Sequence, residues 1–386
     1  MMQAVEQRIA VRKSKDVYSL VRLQDTVAKQ ELLEQSGLAP STLNRILEEL
    51  TEKGMLQEVG FGESTGGRRP ILYCVNPQYA YAFGLEISRT RSMLVLTDLR
   101  QNIVGSTVWR MSESMTPDML LHEVAASAQY MLEVRGIPHS QVLGLGIGAV
   151  GPLDSARGLI LDPLYFQAPG WRNVPVKEGL EGALGIPVYL DNGANAALTG
   201  EYWAASTKKS HLLYVHVGAG IRTAMMTGGA IVYGAVDMEG AAGQMIIQAD
   251  GLPHREEGGN RGALESYVSI HALEREWKAL GRTGGFPSLA AALEAEEEAA
   301  VDLLREAGVY MGIGLANLLN ILHPEKVILG GPVAGFHPVF FETAADRALQ
   351  GAYYRHSYQA EFSRGELGEA AIAVGAAVLV VNRLTV

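Results

Sequence analysis

Apolar residues at Leu43, Ile46, Leu47 and Leu50 follow the i, i+3, i+4, i+7 spacing of a helix with one buried stripe. Pro40 suits its first turn, and Gly54 is placed to stop it. Upstream, Lys29 to Ser36 forms a shorter amphipathic helix with Leu32 and Leu33 inward, and Gly37-Leu38-Ala39 makes a tight turn between the two. This spacing predicts a helix-turn-helix, whose second helix enters the major groove N-terminus first. The early polar positions Ser41, Thr42, Asn44 and Arg45 are expected to be exposed there. Asn pairs with adenine and Arg with guanine, which makes them candidate base readers.

An ordinary helical hairpin would carry the same stripe, but the residues that follow weigh against it. Leu56 to Val59 and Ile71 to Val75 alternate like two strands of a hairpin. Between them lies Gly66-Gly67-Arg68-Arg69-Pro70, and adjacent arginines beside glycine can enter a narrow minor groove. Helix, turn, helix and basic wing over residues 18–75 predict a winged helix-turn-helix, with 1–77 as the DNA-binding domain. Charge agrees. The first 76 residues hold ten basic and ten acidic side chains, so the rest of the chain carries the whole net charge of −10. A neutral head with Arg12, Lys13, Lys15, Arg45, Arg68 and Arg69 can approach phosphate; an acidic body is repelled by it.

At 386 residues the chain is too long for one ordinary domain. Its 44 glycines fit the many tight turns of an α/β body. No apolar run approaches the roughly 20 residues of a membrane span, and no signal-peptide pattern opens the chain. Cys74 is the only cysteine, which excludes an intrachain disulfide and any zinc site of several thiolates. A cytoplasmic location is expected.

From Tyr81 onward, glycine-punctuated strands alternate with helical stretches. Ala82 to Ile87 and Ser92 to Asp98 read as a strand pair, and His211 to Val217 with Thr223 to Thr227 repeats the theme. Two halves opening alike predict two lobes. The expected division is 78–195 for the first, completed by a C-terminal helix over 368–386, and 196–367 for the second.

The order of motifs resembles the ROK family of repressors, open reading frames and kinases, over nearly the whole chain. The residues that carry the resemblance are Gly66 to Pro70, Ala168-Pro169-Gly170-Trp171-Arg172-Asn173-Val174-Pro175, Asn192-Gly193-Ala194-Asn195-Ala196-Ala197 through Glu201, Val217-Gly218-Ala219-Gly220-Ile221, and Val327-Ile328-Leu329-Gly330-Gly331. The resemblance implies an actin-like sugar-kinase fold behind the winged helix.

It also marks departures. The family's kinases read Asp-x-Gly-Gly-Thr at the first phosphate loop; this chain has Glu86-Ile87-Ser88-Arg89-Thr90, whose side chains obstruct close backbone approach to phosphate. The kinase sugar motif reads Asn-Asp-Ala-Asn, with Asp as general base; here Gly193 stands in its place and cannot take a proton. The family's Gly-x-x-Gly-His and Cys-x-Cys-Gly-x-x-Gly-Cys zinc loop become Gly240 to Gln244 and His254 to Ala263. Gln244 replaces the His that would bind both zinc and sugar, and Ala263 replaces the last Cys. No metal and no other cofactor are expected, and the loop from His254 reads as solvated. Asn192 and Glu265 match sugar-contacting positions, and Glu239 and Gln244 can add polar contacts to a sugar pocket.

The expected function is a DNA-binding transcriptional regulator, a repressor, that senses a sugar without phosphorylating it. Its partners would be operator DNA, a sugar or sugar-derivative effector and a second copy of itself. Two rivals stay open. One is a sugar kinase with an accessory head; the other is a ligand-independent DNA binder whose body is only a dimerisation scaffold.

Overall fold

The computed structural model describes residues 5–62, 69–235 and 240–385. The chain divides into two compact units, Met1–Asp191 with Ala373–Val386, and Asn192–Ile372.

The first unit begins with α1 (Arg12–Arg22), β1 (Val27–Ala28), α2 (Lys29–Ser36), α3 (Pro40–Glu52), β2 (Leu56–Phe61) and β3 (Ile71–Val75). α2 ends where Gly37 turns into the left-handed region at φ 62, as its missing Cβ permits. α3 starts with Pro40 in its first turn and buries Leu43, Ile46, Leu47 and Leu50. The three strands pair in the order β1-β3-β2, with Leu56 opposite Val75 and Val27 opposite Tyr73. The sequence reading began at residue 18 and so cut into α1. The first half of that helix is polar, and its buried Val17, Tyr18 and Val21 lie toward its end.

Behind these elements come β4 (Tyr81–Ile87), β5 (Arg91–Asp98), β6 (Ile103–Arg110), α4 (Pro117–Arg135), β7 (Val142–Ala149), β8 (Leu153–Asp154), β9 (Leu159–Ile160), α5 (Val176–Leu184) and β10 (Val188–Asn192). Five of the strands form one sheet in the order β10-β7-β4-β5-β6. β4 pairs antiparallel with β5 and parallel with β7. Thr116 caps α4 by accepting the Met119 N–H. α4 and α5 supply Leu120, Val124, Met131 and Leu180 to a core with Phe83, Leu85 and Ile147 of the sheet.

The second unit repeats this topology. It contains α6 (Gly193–Ala204), β11 (His211–Val217), β12 (Ile221–Thr227), β13 (Ala230–Ile231), α7 (Glu265–Val268), α8 (Ile270–Ala279), α9 (Gly285–Glu294), α10 (Glu298–Leu322), β14 (Lys326–Gly330), α11 (Pro332–Phe336), α12 (Pro338–Gly351) and β15 (Glu361–Ser363). Its sheet runs β13-β12-β11-β14-β15, with β11 antiparallel to β12 and parallel to β14. In both units the central strand is the first of its hairpin, flanked by its antiparallel neighbour and a parallel one. α10 and α12 pack along each other over this unit's core, which includes Leu304, Met311, Leu315 and Phe340.

α13 (Ala371–Asn382) returns to the first unit. It lies directly on the sheet: a Cβ on Gly146 would stand 1.8 Å from the Ala376 carbonyl oxygen, so only glycine admits the helix there. α13 also meets the N-terminal helices. Ala377, Val380, Val381 and Leu384 share one hydrophobic core with Val17, Tyr18, Val21, Leu43 and Leu47. Arg22 of α1 donates to the Asn382 carboxamide oxygen at 2.7 Å, and Arg8 donates to the Ser140 carbonyl at 3.0 Å. The described helices before β4 are thus packed onto the body.

Candidate functional site

On α3, Ser41 and Arg45 are exposed and Thr42 is half-buried. Asn44 departs from the expectation of an exposed base reader. It is half-buried, and its Oδ1 is shielded from solvent with no hydrogen-bond partner. The reason is helical phase: position 44 borders the stripe of Leu43, Ile46, Leu47 and Leu50. Arg69 is exposed at the foot of β3, whereas Arg68 lies outside the described residues.

The first-loop positions are engaged internally. Arg89 Nε donates to the Leu164 carbonyl at 2.8 Å, and the guanidinium lies 5.8 Å from the Tyr165 ring centroid. Glu86 is buried and paired with Arg91 at 3.3 Å. Arg89, one of the two side chains that replace the glycines, therefore ties the turn to a neighbouring loop.

In the second unit, β12, α7 and the loop between them bring Gln244, His254 and Glu265 together. The Glu265 carboxylate accepts the Ile221 N–H at 2.8 Å and pairs with Arg222 at 3.4 Å, both through Oε2. It fits there because Gly243 has no side chain; a Cβ on that residue would come within 2.6 Å of Oε2. The other carboxylate oxygen faces His254 Nε2 at 3.4 Å. His254 Nδ1 accepts the Glu256 N–H at 3.0 Å. The Gln244 carboxamide nitrogen sits 2.9 Å from His254 Nε2, while its oxygen accepts the Asn260 N–H at 3.0 Å. Asn260 in turn donates to the Gln244 backbone carbonyl at 2.9 Å.

The loop is solvated over much of its length, with Arg255, Glu257, Gly258, Asn260 and Arg261 exposed, but the His254 ring within it is only 6% exposed. The ring is buried because Gln244 and Asn260 close the loop over it, a contact between residues 10 and 16 positions apart that no local pattern signals. Sequence reasoning also missed Arg222 and Asn260 as partners of the two candidates. The family's zinc does not fit here. Gln244 is held by Asn260 through hydrogen bonds, Ala263 offers no donor, and among the described residues no group of three or more His, Cys, Asp or Glu could hold a metal.

Asn192 is buried at the end of β10 and caps α6, its side-chain oxygen accepting the Asn195 N–H at 2.8 Å. Gly193, next to it, opens the helix, and Asp191 is buried on the strand. Glu239 lies outside the described residues. Further along α6, Glu201 accepts the N–H groups of Glu366 and Leu367, and burial pushes its carboxyl above the usual carboxylate range. No helix among the described residues is long and apolar enough to cross a membrane.

Comparison with known proteins places these features. The xylose repressor of Bacillus subtilis is 26% identical over 360 residues, covering 92% of this chain and 91% of its own. The crystal structure of a ROK family transcriptional regulator, a homolog of the Escherichia coli MLC protein, covers 97% of this chain and 96% of its own, at a TM-score of 0.78 and 19% identity. The ROK hexokinase from Thermus thermophilus is 29% identical at a TM-score of 0.64; it covers 97% of its own chain but only 77% of this one. The body from residue 82 to residue 383 matches the ROK family throughout, and the chain belongs to that family.

Proposed function

We propose that this chain is a sugar-responsive transcriptional repressor: residues 1–77 are a winged helix-turn-helix that binds operator DNA, and the body is an actin-like ROK fold that senses a sugar without phosphorylating it. The observation that carries the reading is a helix-turn-helix packed into one core with a ROK body. The share of the chain without a counterpart in the hexokinase is about the size of that head, whereas regulators match from end to end.

Two features support a sensor in preference to a kinase. The turn of Ser88 and Arg89 is engaged by Leu164 and Tyr165, which leaves no glycine cradle for phosphate. Gly193 offers no base for a sugar hydroxyl; Asp191, on the preceding strand, lies roughly 6–7 Å further back.

The polar network supports a hydroxyl-bearing ligand. With Nδ1 accepting from Glu256, His254 Nε2 carries the proton and opposes the Gln244 amide. Turning that amide moves the opposition to Asn260. A sugar hydroxyl that displaces the Gln244 nitrogen relieves it, accepting from Nε2–H and donating to Glu265. Asn192 and Glu239 are the further proposed contacts.

The test is selection of genomic fragments by the full chain, then operator affinity at fixed salt with and without D-xylose, N-acetylglucosamine, glucose and other common hexoses and pentoses. A sugar that binds the DNA-incompetent state better is expected to weaken operator binding. Affinity for the selected fragment no greater than for random duplex would sink the regulator reading. Operator binding that ignores every sugar, with no thermal shift, would favour the scaffold rival.

A further inference from the structure

We infer that Glu201 is a positioning residue: its carboxylate is the clasp through which a ligand at Asn192 acts on the DNA-binding head, by way of α6 and α13. The inference rests on the proposed reading of the chain as a regulator and names how its ligand site is read out. Glu201 closes the motif that opens at Asn192. Nine helical positions, roughly 13 Å of axis, separate the two, and the carboxylate is spent on residues 366 and 367.

Both ends of α6 are committed. At its start the Asn192 side-chain oxygen accepts the Asn195 N–H at 2.8 Å. Near its end Glu201, only 3% exposed, accepts the Glu366 N–H through Oε2 at 2.7 Å and the Leu367 N–H through Oε1 at 3.1 Å. Every residue from Gly193 to Glu201 is buried. Close-packed surroundings transmit a displacement and do not absorb it. A ligand hydroxyl that takes the Asn192 oxygen releases the Asn195 N–H, and the shift of that end is carried to Glu201.

The receiving loop is shaped around the carboxylate. Gly365 holds φ 81, and a Cβ there would stand 2.4 Å from Glu201 Oε1. Ser363 Oγ accepts the Gly365 N–H at 2.9 Å. A neutral side chain would suffice to pin such a loop; a carboxylate makes bonds roughly twice as strong, so residues 366 and 367 follow it. α13 comes next. Leu367, Ala371 and Ile372 pack with Ala194, Ala197 and Leu198 of α6 in one core. Further along the same helix, Ala377, Val380 and Val381 share another core with Leu43 and Leu47 of α3.

Amide hydrogen exchange of the full chain, with and without the duplex selected from genomic fragments, tests the route. Coupling is reciprocal, so operator binding to the wild type should change exchange at Glu366, Leu367 and Asn195. In Glu201→Gln, whose carboxamide accepts only one of the two N–H groups, that change should no longer reach Asn195. Gly365→Ala crowds the clasp with Glu201 intact and should do the same, which keeps the test decisive if the first variant unfolds. Where D-xylose, N-acetylglucosamine or glucose weakens operator binding of the wild type, both variants should lose that response and keep the sugar's thermal shift. Thr199→Val removes only the hydroxyl bonded to the Asn195 carbonyl and should respond as wild type.

Exchange at Glu366 and Asn195 that ignores the operator in the wild type overturns the proposal. So does a sugar response that both variants keep, or one that Thr199→Val abolishes as fully. Loss of the thermal shift together with the response overturns it too, by making Glu201 part of the ligand site. If no sugar acts on the wild type, the sensor reading fails, and the exchange result still decides the route.

Discussion

Arg22 and Asn382 are 360 residues apart in sequence, and the guanidinium of the first donates to the carboxamide of the second at 2.7 Å. Burial pulls the Arg22 guanidinium down to about 10, still ionised at neutral pH, and pushes the adjacent Tyr18 hydroxyl up to about 12. A buried charge of this kind holds the N-terminal helices to α13 more strictly than apolar contact alone.

Replacing Asn382 by Leu should therefore destabilise the first unit by about 1.5–3 kcal/mol, the range for a hydrogen bond to a charged group. Arg22→Met in the same chain should recover much of the loss, because it removes the charge that would be left buried. Urea unfolding of the two single variants and the double variant checks this. Additive losses would show that the two residues do not act as a pair.

Changing Arg68 and Arg69 together to Ala should weaken operator binding at least tenfold and flatten its salt dependence. Arg45→Ala should instead relax preference at one base position. Fluorescence anisotropy across a salt series separates these outcomes, and an unchanged slope for the double variant would refute the wing assignment.

Zinc should be well below one atom per purified chain, because Gln244 is tied to Asn260 by hydrogen bonds and Ala263 offers no donor. Gln244→Ala should loosen residues 254–262, read as faster amide exchange there. Elemental analysis finding one tightly held zinc would contradict this account.

ATP consumption with a sugar panel and magnesium should stay below detection, and Gly193→Asp alone should not restore it, since Arg89 would still occupy the phosphate turn. Sugar-dependent turnover of about 1 per second or more, a typical enzyme rate, would make the kinase rival the better account.

The helix-turn-helix spacing was legible because its signals are local: a stripe at helical period, Pro40 at a start, Gly37 at a stop. The repeated sheet was legible for the same reason, through alternating strands that end in glycine. The start of α1 was not, since its first residues face water and carry no pattern. Thr42 and Asn44 are half-buried where exposure was expected, because a helical wheel resolves faces but not their borders. Gln244, His254 and Glu265 could be named from motif order, yet the burial of the His254 ring could not be read, because it depends on where Asn260 folds back.

The common core of the N-terminal helices and α13 bears on how such regulators can be recombined. A head joined by a free linker can be exchanged as a cassette, with the sensor left intact. Here the surface that receives the head is built from the last residues of the chain, Ala377 to Leu384, and from Leu99 and Leu143 of the body. A chimera that swaps residues 1–77 alone would set a foreign head on a mismatched seat. Transplants of DNA specificity into this scaffold should keep its own head and alter only the outward residues of α3 and the wing.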